Sequence, residues 1–277
     1  MNEDEILVSV VIACRNCEEY ISKCIDSILT QTHKNLEVLV CDDASTDSSI
    51  DILLEYEKKD KRIRVLKNFN NLMAAASRNR CIEISKGKYI VIQDADDFST
   101  PDRITILLNY LEKNPEVSFI SSAAYLFSTS DIQADSVMVK KKKKPTKKDF
   151  LWGLPFIHGS TMFRRECIIR IGGYRVVKET KRGQDYDMFM RMYAEGYHGI
   201  NINEPLYWIR AGGNLIKKQI LSSVKNEFKI RMYGFKRLGL MPLGYLFVFK
   251  PYGAFIFHNA RYLINLFRKK YCLFILL

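Results

Sequence analysis

The sequence lacks an uninterrupted apolar stretch long enough to cross a membrane. Its longest apolar runs reach about seven residues and lie near the C-terminus, where Lys250-Pro251 and residues 258–261 interrupt them. A spanning helix needs roughly 20 such residues. The chain also lacks the basic start of a secretory signal peptide, because its first residues, MNEDEILVSV, are acidic before they become apolar. We therefore expect a cytoplasmic protein.

Acidic residues are nearly absent from the last part of the chain. Of the 31 acids only Glu227 lies beyond residue 216, in a segment that holds 12 of the 43 Lys and Arg residues. The net charge is thus about +1 over residues 1–216 and about +11 over residues 217–277. Aromatic residues are interleaved with these cations, a composition typical of segments that lie in a membrane interface.

From this pattern we expect residues 216–277 to be a basic, amphipathic region that holds the protein peripherally at the inner face of the cell membrane. The alternative is a helical hairpin packed on the rest of the chain or on a second subunit. Nucleic acid is not an expected partner, because the cations cluster with long apolar and aromatic side chains rather than on a polar face.

The cysteine positions fit no recognisable disulfide or zinc-binding pattern. The seven are odd in number and scattered, and although Cys14 and Cys17 form a C-x-x-C motif, no second pair or nearby histidine completes a zinc site. We expect reduced, partly buried thiols, as is usual in the cytosol.

Apolar, β-branched runs alternate with stretches of helical spacing through the first half of the chain. Strands are predicted at 6–13, 36–41, 62–66 and 88–93, with helices between them and another from Pro101 to Lys113. This alternation predicts an α/β fold with a doubly wound, mostly parallel sheet.

The second half of the chain is less regular. Strands are predicted at EVSFISSAAYLF, around 157–163 and at PLYWIR, and a helix is predicted near Gly183. Residues 128–150 have no periodicity and carry a run of lysines, so we expect a solvated, mobile loop there.

Two clusters of acids follow predicted strands: Asp42 with Asp43, and Asp94 with Asp96 and Asp97. In doubly wound sheets, ligands gather beyond the carboxyl ends of the strands. Carboxylates spaced as D-x-D offer oxygen ligands to a hard divalent cation, which in turn binds a diphosphate. In the alternative interpretation these acids solvate a turn before a helix capped by Ser99 or Thr100.

Five motifs in sequence carry a family resemblance. The segments VSVVIACRN, VCDDASTD, NLMAAASRN, IQDADD and RGQDYDMFMRM stand in the order and near the spacing of the family 2 glycosyltransferases, which have the GT-A fold. In detail the chain resembles bacterial enzymes of capsule or exopolysaccharide synthesis. The resemblance implies a GT-A domain over 1–215, with a nucleotide-sugar half at about 1–115 and an acceptor half at about 116–215.

The resemblance also implies a site for a UDP-sugar donor. Ala13 and Arg15, at the end of the first strand, would contact the nucleotide base, and Asp43 would accept a hydrogen bond from the uracil ring. Arg78 would reach the nucleotide, while the neighbouring Asn79 would hold the local turn.

At the acidic cluster the resemblance assigns separate roles. Asp94 would meet the ribose or the sugar, and Asp96 would ligate Mn²⁺ or Mg²⁺, whose charge stabilises the departing diphosphate. Arg210 would contact a phosphate. Asp97 would cap the following turn or orient its neighbours.

Asp185 matches the family's general base, the acid that takes a proton from the acceptor hydroxyl as it attacks the anomeric carbon. Direct displacement of this kind inverts the anomeric configuration. The acceptor would be a glycan or a lipid-linked glycan. In the alternative interpretation Asp185 is a helix N-cap or a charge placed on the helix dipole. Asp187, two residues on, is expected to be structural.

Two departures from the family pattern bear on this site. Gln184 replaces the commoner Glu beside the base, and Met73 stands where many members have Gly. His158 is expected to be a buried, hydrogen-bonded residue, and Trp152 either stacks on a sugar or belongs to the core.

Two other functions stay open at this point. A nucleotidyltransferase would need a glycine-rich phosphate loop after the first strand, which ACRNCEEY does not supply. A catalytically inactive nucleotide-sugar or glycan-binding module would require the loss of Asp96 or Asp185. The Q-x-x-R-W motif of processive synthases is absent, so we expect single sugar additions.

Overall fold

The computed structural model describes residues 6–128, 134–140, 142–211 and 221–257. The strands are β1 (Val8–Cys14), β2 (Leu36–Asp42), β3 (Ile63–Lys67), β4 (Tyr89–Asp94), β5 (Phe98–Ser99), β6 (Phe119–Phe127), β7 (Ser136–Met138), β8 (Thr161–Arg164) and β9 (Gly199–Arg210). The helices are α1 (Ile21–Leu29), α2 (Ser49–Lys59), α3 (Met73–Ile84), α4 (Arg103–Lys113), α5 (Arg165–Arg170), α6 (Gln184–Ala194), α7 (Leu221–Arg237) and α8 (Gly244–Val248).

All nine strands belong to one mixed sheet in the order β3-β2-β1-β4-β8-β6-β9-β5, with β7 added to β6. The first four strands in this order are parallel. Strand β8 runs antiparallel to both β4 and β6, and β6 runs parallel to β9. The predicted α/β fold with a mostly parallel sheet is confirmed. Because β1, β2 and β4 are parallel, the acids that follow β2 and β4 lie at one edge of the sheet.

Both faces of the sheet are covered by helices. Val8, Val10 and Ile12 of β1 pack in a core cluster with α1, α2 and α4. Val11 points the other way, into a second cluster formed with α3, α5, α6 and α7. A strand buried on both faces has no reason to alternate apolar with polar residues, which explains its continuous apolar run.

The C-terminal helices pack on this domain. Ile230 and Phe235 of α7 and Val248 of α8 are buried in the cluster that contains α6. Residues 221–248 therefore include helices packed on the body, and their association with a membrane stays a prediction. Within the described part of the chain, no helix has the length and apolarity needed to cross a membrane. Much of the predicted membrane-associating region, residues 258–277, lies outside the described residues, and its role stays a prediction.

The prediction of reduced thiols is wrong for Cys14 and Cys17, which form a disulfide. The chain turns at Asn16, whose φ is 50°, directly after β1, and this turn brings the two Cα atoms within 6.3 Å. The other described cysteines are free and buried: Cys24, Cys41, Cys81 and Cys167.

The prediction of a mobile loop over 128–150 is wrong in part. Residues Ser136–Met138 pair with β6, and Lys147–Leu151 forms a 3-10 turn whose Phe150 and Leu151 are buried in the core. The burial of these two apolar side chains holds this part of the segment against the core, which the lysine residues alone would not do. Residues 129–133 and 141 lie outside the described part.

Asp187 holds α6 in place, as its predicted structural role requires. Its buried carboxylate accepts hydrogen bonds from Arg175 at 2.7 Å and from Arg191 at 2.9 Å. Removing one member of a buried ion pair leaves a charge without compensation. We expect Asp187→Asn to lower the free energy of unfolding by about 3–5 kcal/mol in a denaturant titration.

The matched control is Glu195→Gln at the other end of α6. Its ion pair with Arg237 is also 2.7 Å long, but both side chains are about half exposed. We expect this change to cost less than about 1 kcal/mol. Equal losses in the two variants would contradict a structural role for Asp187.

Candidate active site

A cavity of about 390 Å³ lies at the carboxyl ends of β1 and β4. Its lining consists of Ala13, Arg15, Asn16, Cys17, Tyr20, Arg78, Asp94, Ala95 and Asp96. Five of the eight predicted site residues share this cavity: Ala13, Arg15, Arg78, Asp94 and Asp96. The parallel strand order explains the convergence, since residues 81 positions apart in sequence end neighbouring strands.

The loop after β1 is held by polar contacts with the loop after β2. The backbone N–H of Asn16 donates to Ser45 Oγ at 3.0 Å, and Asn16 Oδ1 accepts the N–H of Thr46 at 2.9 Å. The N–H of Cys17 donates to Ser49 Oγ at 2.8 Å. These contacts, with the disulfide, fix the wall of the cavity that carries Arg15.

A buried ion pair forms the floor of the cavity. Arg78 Nη2 lies 2.5 Å from Asp94 Oδ1, and the Arg78 side chain is only 7% exposed. Burial raises the pKa of Asp94, but the charges of Arg78 and His158 outweigh this effect and lower it. Asp94 is therefore an anion. Nε and Nη1 of Arg78 have no hydrogen-bond partner among the described residues, so both nitrogens are available as hydrogen-bond donors.

Asp96 differs from Asp94 in having no salt bridge with any described residue. Desolvation and the charge of Asp94 raise the pKa of Asp96, while Arg210 and Arg78 act in the opposite direction. Its side chain is exposed, so the carboxylate is open to a divalent cation. No three His, Cys, Asp or Glu side chains converge as a metal site in the described part of the chain. The carboxylate fits an ion such as Mg²⁺, which takes one or two carboxylates and completes its shell with phosphate oxygens and water.

Asp97 links the acidic turn to β9. Its Oδ1 accepts the backbone N–H of Arg210 at 2.8 Å, and its own N–H donates to the carbonyl of Asp94 at 3.2 Å. Burial and the charge of Asp94 raise the pKa of Asp97 to about 8. These contacts agree with the predicted role of orienting its neighbours.

Arg210 lies at the rim of the cavity. Its guanidinium carbon is 4.1 Å from the centroid of the Tyr20 ring, and its Nε donates to the carbonyl of Asp96 at 3.4 Å. The side chain therefore adds a cation beside the acidic turn. Tyr20 also lines the cavity.

Asp43 lies apart from the cavity lining. It is 3% exposed, and its carboxylate accepts three hydrogen bonds, from the Asn68 side chain at 2.7 Å and from the N–H groups of Leu72 and Met73 at 2.8 Å each. Met73 has φ of 72°, the left-handed conformation that the usual Gly would adopt without strain. Since a carboxylate has about four acceptor positions, one remains for a ligand.

Asp185 lies in the first turn of α6, within electrostatic reach of the ion pair. Burial lowers the pKa of Arg78, but Asp94, Tyr174 and Asp185 raise it above the usual range. The N-cap of α6 is Gly183, with φ of 81°, rather than Asp185. The N-cap alternative is therefore excluded. The helix-dipole alternative is compatible with this position.

His158 and Lys140 flank the same region. His158 is buried, and its Nε2 is 2.7 Å from the Tyr174 hydroxyl, so it is the hydrogen-bonded residue that was predicted. Lys140 was missed, because it lies in the stretch without periodicity. Burial lowers the pKa of Lys140, and the charge of Asp185 offsets this effect only in part. Because Asp185 acts on Lys140 electrostatically, this cation lies near the candidate base. Its Nζ donates to the carbonyl of Leu154 at 3.1 Å.

Arg103 is the other functional residue that the sequence did not indicate. Its fully buried guanidinium donates to the carbonyls of Ile92 and Gly159 at 2.9 and 2.7 Å. It also donates to Gln93 Oε1 and Ser99 Oγ, each at 2.9 Å. Ser99 belongs to β5 and the N-cap of α4 is Asp102, so neither Ser99 nor Thr100 is the helix cap of the alternative interpretation.

These contacts of Arg103 surround the acidic turn. The guanidinium carbon is 4.6 Å from the centroid of the Tyr207 ring, and the Tyr207 hydroxyl accepts the N–H of Asp94 at 3.0 Å. A side chain at Gly159 would be 2.9 Å from Asp94 Oδ2 and 2.7 Å from that hydroxyl, so only glycine fits. Arg103 therefore sets the conformation of the turn that carries Asp94 and Asp96.

Comparison with known proteins decides the family. The glycosyl transferase family 2 model matches residues 9–172, more than half of the chain. The chain belongs to glycosyl transferase family 2. Among relatives of this glycosyltransferase, the putative glycosyltransferase EpsE of Bacillus subtilis (strain 168) is 32% identical over 246 residues, covering 88% of this chain and 87% of the relative.

One further relative and one solved structure are also similar to this chain. An Escherichia coli protein, the UDP-Glc:alpha-D-GlcNAc-diphosphoundecaprenol beta-1,3-glucosyltransferase WfaP, is 30% identical over 211 residues, 74% of this chain and 78% of the relative. The mannosyltransferase PcManGT from Pyrobaculum calidifontis, solved with GDP-Man and Mn²⁺, matches with a TM-score of 0.62 at 18% identity, over 92% of this chain and 75% of that one. The GT-A fold predicted for this glycosyltransferase is confirmed.

Arg103 offers a direct test of how the acidic turn is held. Lysine keeps the charge but cannot make the planar fork of hydrogen bonds. We expect Arg103→Lys to weaken nucleoside diphosphate binding, with UDP and Mn²⁺ as the probe, at least about tenfold, because the turn that carries Asp94 and Asp96 loses the hydrogen bonds that orient it. Each lost charge-assisted hydrogen bond also costs roughly 1.5–3 kcal/mol of stability. Isothermal titration calorimetry measures the affinity, and thermal unfolding records the accompanying loss of stability.

Arg164→Lys is the matched control for this experiment. Arg164 also donates to backbone carbonyls, those of Val117 and Leu111, but lies at the opposite end of β4, where it pairs with Tyr89. We expect lower stability with unchanged UDP affinity. If both variants lose UDP affinity in proportion to their stability, Arg103 has no particular role at the turn.

Proposed function

We propose that this enzyme is an inverting, metal-assisted glycosyltransferase that moves a sugar from a UDP-sugar to a glycan or lipid-linked glycan acceptor in cell-surface polysaccharide synthesis. The observation that carries the proposal is the shared cavity of Arg78, Asp94 and Asp96, with Asp185 within electrostatic reach. WfaP, by its name, uses UDP-Glc and a lipid diphosphate acceptor, and PcManGT was solved with Mn²⁺, which supports the class of donor, acceptor and ion.

The cations of the cavity suit a nucleotide diphosphate. Arg78 has unpaired donors next to Asp94, Arg15 lines the opposite wall and Arg210 lies at the rim. A divalent ion at Asp96 supplies Lewis-acid stabilisation of the departing diphosphate. The residues themselves bind and orient the donor: Asp94 faces the ribose or sugar, and the three cations balance phosphate charge.

Asp185 carries the proton transfer. As the acceptor oxygen forms a bond to the anomeric carbon, the bond from that carbon to the phosphate oxygen breaks and its electron pair leaves with the diphosphate. The hydroxyl proton passes to the Asp185 carboxylate. Lys140 lies near this carboxylate and adds a cation to the proposed acceptor side of the site.

The acceptor class and the location of the enzyme form part of the same proposal. A lipid-linked acceptor is found at the inner face of the cell membrane, and the net charge of about +11 over residues 217–277 favours attraction to anionic headgroups. We infer a cytoplasmic enzyme that is peripheral to that membrane.

Variants of Asp96 and Asp185 test the mechanism. We expect Asp185→Asn to lower kcat about 10²- to 10⁴-fold, the usual contribution of a general base, with UDP affinity within about twofold of the wild type. Asp96→Ala should remove the dependence of turnover on Mn²⁺ or Mg²⁺ together with most activity. Release of UDP during transfer measures both effects.

Asp102→Asn is the control, an exposed acid beside the same turn that lines no part of the cavity. It should keep wild-type rates. Full activity of both Asp96→Ala and Asp185→Asn would overturn the mechanism. Tight binding of a UDP-sugar by the wild type without any turnover would favour the inactive binding module.

A panel of donors tests the assignment of uridine. Asp43 retains one acceptor position, and an imide N–H of uracil is a donor that suits it. We expect turnover or hydrolysis of a UDP-sugar to exceed that of a GDP-sugar by at least about tenfold in kcat/KM, whereas this contact does not discriminate against a dTDP-sugar, whose thymine carries the same imide N–H. Preference for a GDP-sugar, the nucleotide bound in PcManGT, would overturn the role of Asp43 and leave the mechanism intact.

A further inference from the structure

Exposed apolar side chains concentrate on the C-terminal helices and on the turn beside them. Leu246 is 77% exposed and Phe257 is 70% exposed. The apolar face, as we call this surface, comprises Trp152, Leu243, Tyr245, Leu246, Phe249, Ile256 and Phe257. Trp152 follows the 3-10 turn of the main domain, and the other residues lie on α8, beside it or in the helical stretch 250–257. Trp152, 68% exposed, is therefore not a core residue.

Contacts join the two parts of the apolar face into one surface. The ring centroids of Trp152 and Phe247 are 5.0 Å apart in an edge-on arrangement. Lys250 donates to the Trp152 carbonyl, and its Nζ lies 5.5 Å from the Trp152 ring. The main domain and the C-terminal helices thus present a continuous surface of apolar and aromatic groups with a cation among them.

The charges near the apolar face have one predominant sign. On α7 and the following helices, three cations form no ion pair with a described residue: Lys225, Lys236 and Lys250. The other three, Lys229, Arg231 and Arg237, pair with Glu179, Glu227 and Glu195. Tryptophan, tyrosine and lysine together are the side chains that suit the boundary between acyl chains and headgroups. A protein partner would not require this excess of one charge.

We propose that the apolar face docks on a bilayer that contains anionic phospholipids. This placement has a consequence for the active site, because α7 packs on the start of α6. A side chain at Gly183 would meet Ile230 of α7 at 3.3 Å, and Arg231 lies 5.2 Å from the Tyr186 ring. Docking therefore brings the Asp185 side of the domain to the headgroups, where a lipid-linked acceptor presents its glycan.

The inference deepens the membrane placement proposed above, and its test uses neither donor nor acceptor. Failure would therefore leave the transferase proposal standing. Trp152 serves as the reporter in a Trp208→Phe background, since the chain has two tryptophans. If that background does not fold, Trp152→Phe supplies the Trp208 signal for subtraction from the wild type.

On vesicles of phosphatidylcholine with phosphatidylglycerol, we expect co-sedimentation, a blue shift of Trp152 emission and quenching by brominated acyl chains. Vesicles of phosphatidylcholine alone should bind more weakly. Leu246→Glu with Phe249→Glu should lower the partition coefficient at least about tenfold, because two apolar groups are lost from the interface. The matched control is Leu54→Glu with Ile169→Glu, which adds the same charge at exposed apolar positions on α2 and α5.

Three results would overturn the proposal. Equal partitioning of the two double variants would show that charge alone decides adsorption. Unchanged Trp152 emission in protein that sediments with vesicles would place the anchor elsewhere. Before vesicles are added, Trp152 emission that is already blue-shifted and is not quenched by acrylamide would show that residues 258–277 or a second copy of the chain covers the apolar face.

Discussion

The acidic turn after β4 is flanked by two buried guanidinium groups, those of Arg78 and Arg103. Arg78 pairs with Asp94 at the floor of the cavity, and the buried Arg103 holds the backbone and side chains that surround the turn. Burial alone would protonate Asp94, as the raised pKa values of its neighbours Asp96 and Asp97 show. Asp94 therefore has an ion-pair partner, whereas Asp96 has no salt bridge with any described residue.

This imbalance connects the fold to the chemistry. Parallel pairing brings the ends of β1 and β4 together. In the mixed half of the sheet, the end of β9 lies beside the acidic turn, where Asp97 accepts the N–H of Arg210. On the other face, α6 is anchored by Asp187 and by α7, which fixes the first turn that carries Asp185. In the proposed mechanism, donor and acceptor chemistry thus depend on two separate buried networks, that of Arg103 and that of Asp187.

Much of this arrangement follows from the sequence, for identifiable reasons. Continuous apolar runs and helical spacing predict β1 to β4, and the family resemblance assigns Ala13, Arg15, Asp94 and Asp96 to one site. The parallel pairing of β1 with β4 brings these four residues to one cavity. Arg103 escaped prediction because a charged residue near a helix start is ordinarily solvent-exposed, and only the tertiary structure surrounds it with carbonyls. Lys140 escaped because its segment has no periodicity. The disulfide depends on a positive φ at Asn16 that composition does not reveal.

In the proposed mechanism, Asp96 becomes a metal ligand when a diphosphate binds. Electron paramagnetic resonance of free Mn²⁺ tests it directly, since the signal of the hydrated ion is lost on binding. We expect the wild type to deplete free Mn²⁺ when UDP is added, beyond what UDP alone depletes, and Asp96→Asn to show no such excess. Equal depletion by the variant would contradict the account.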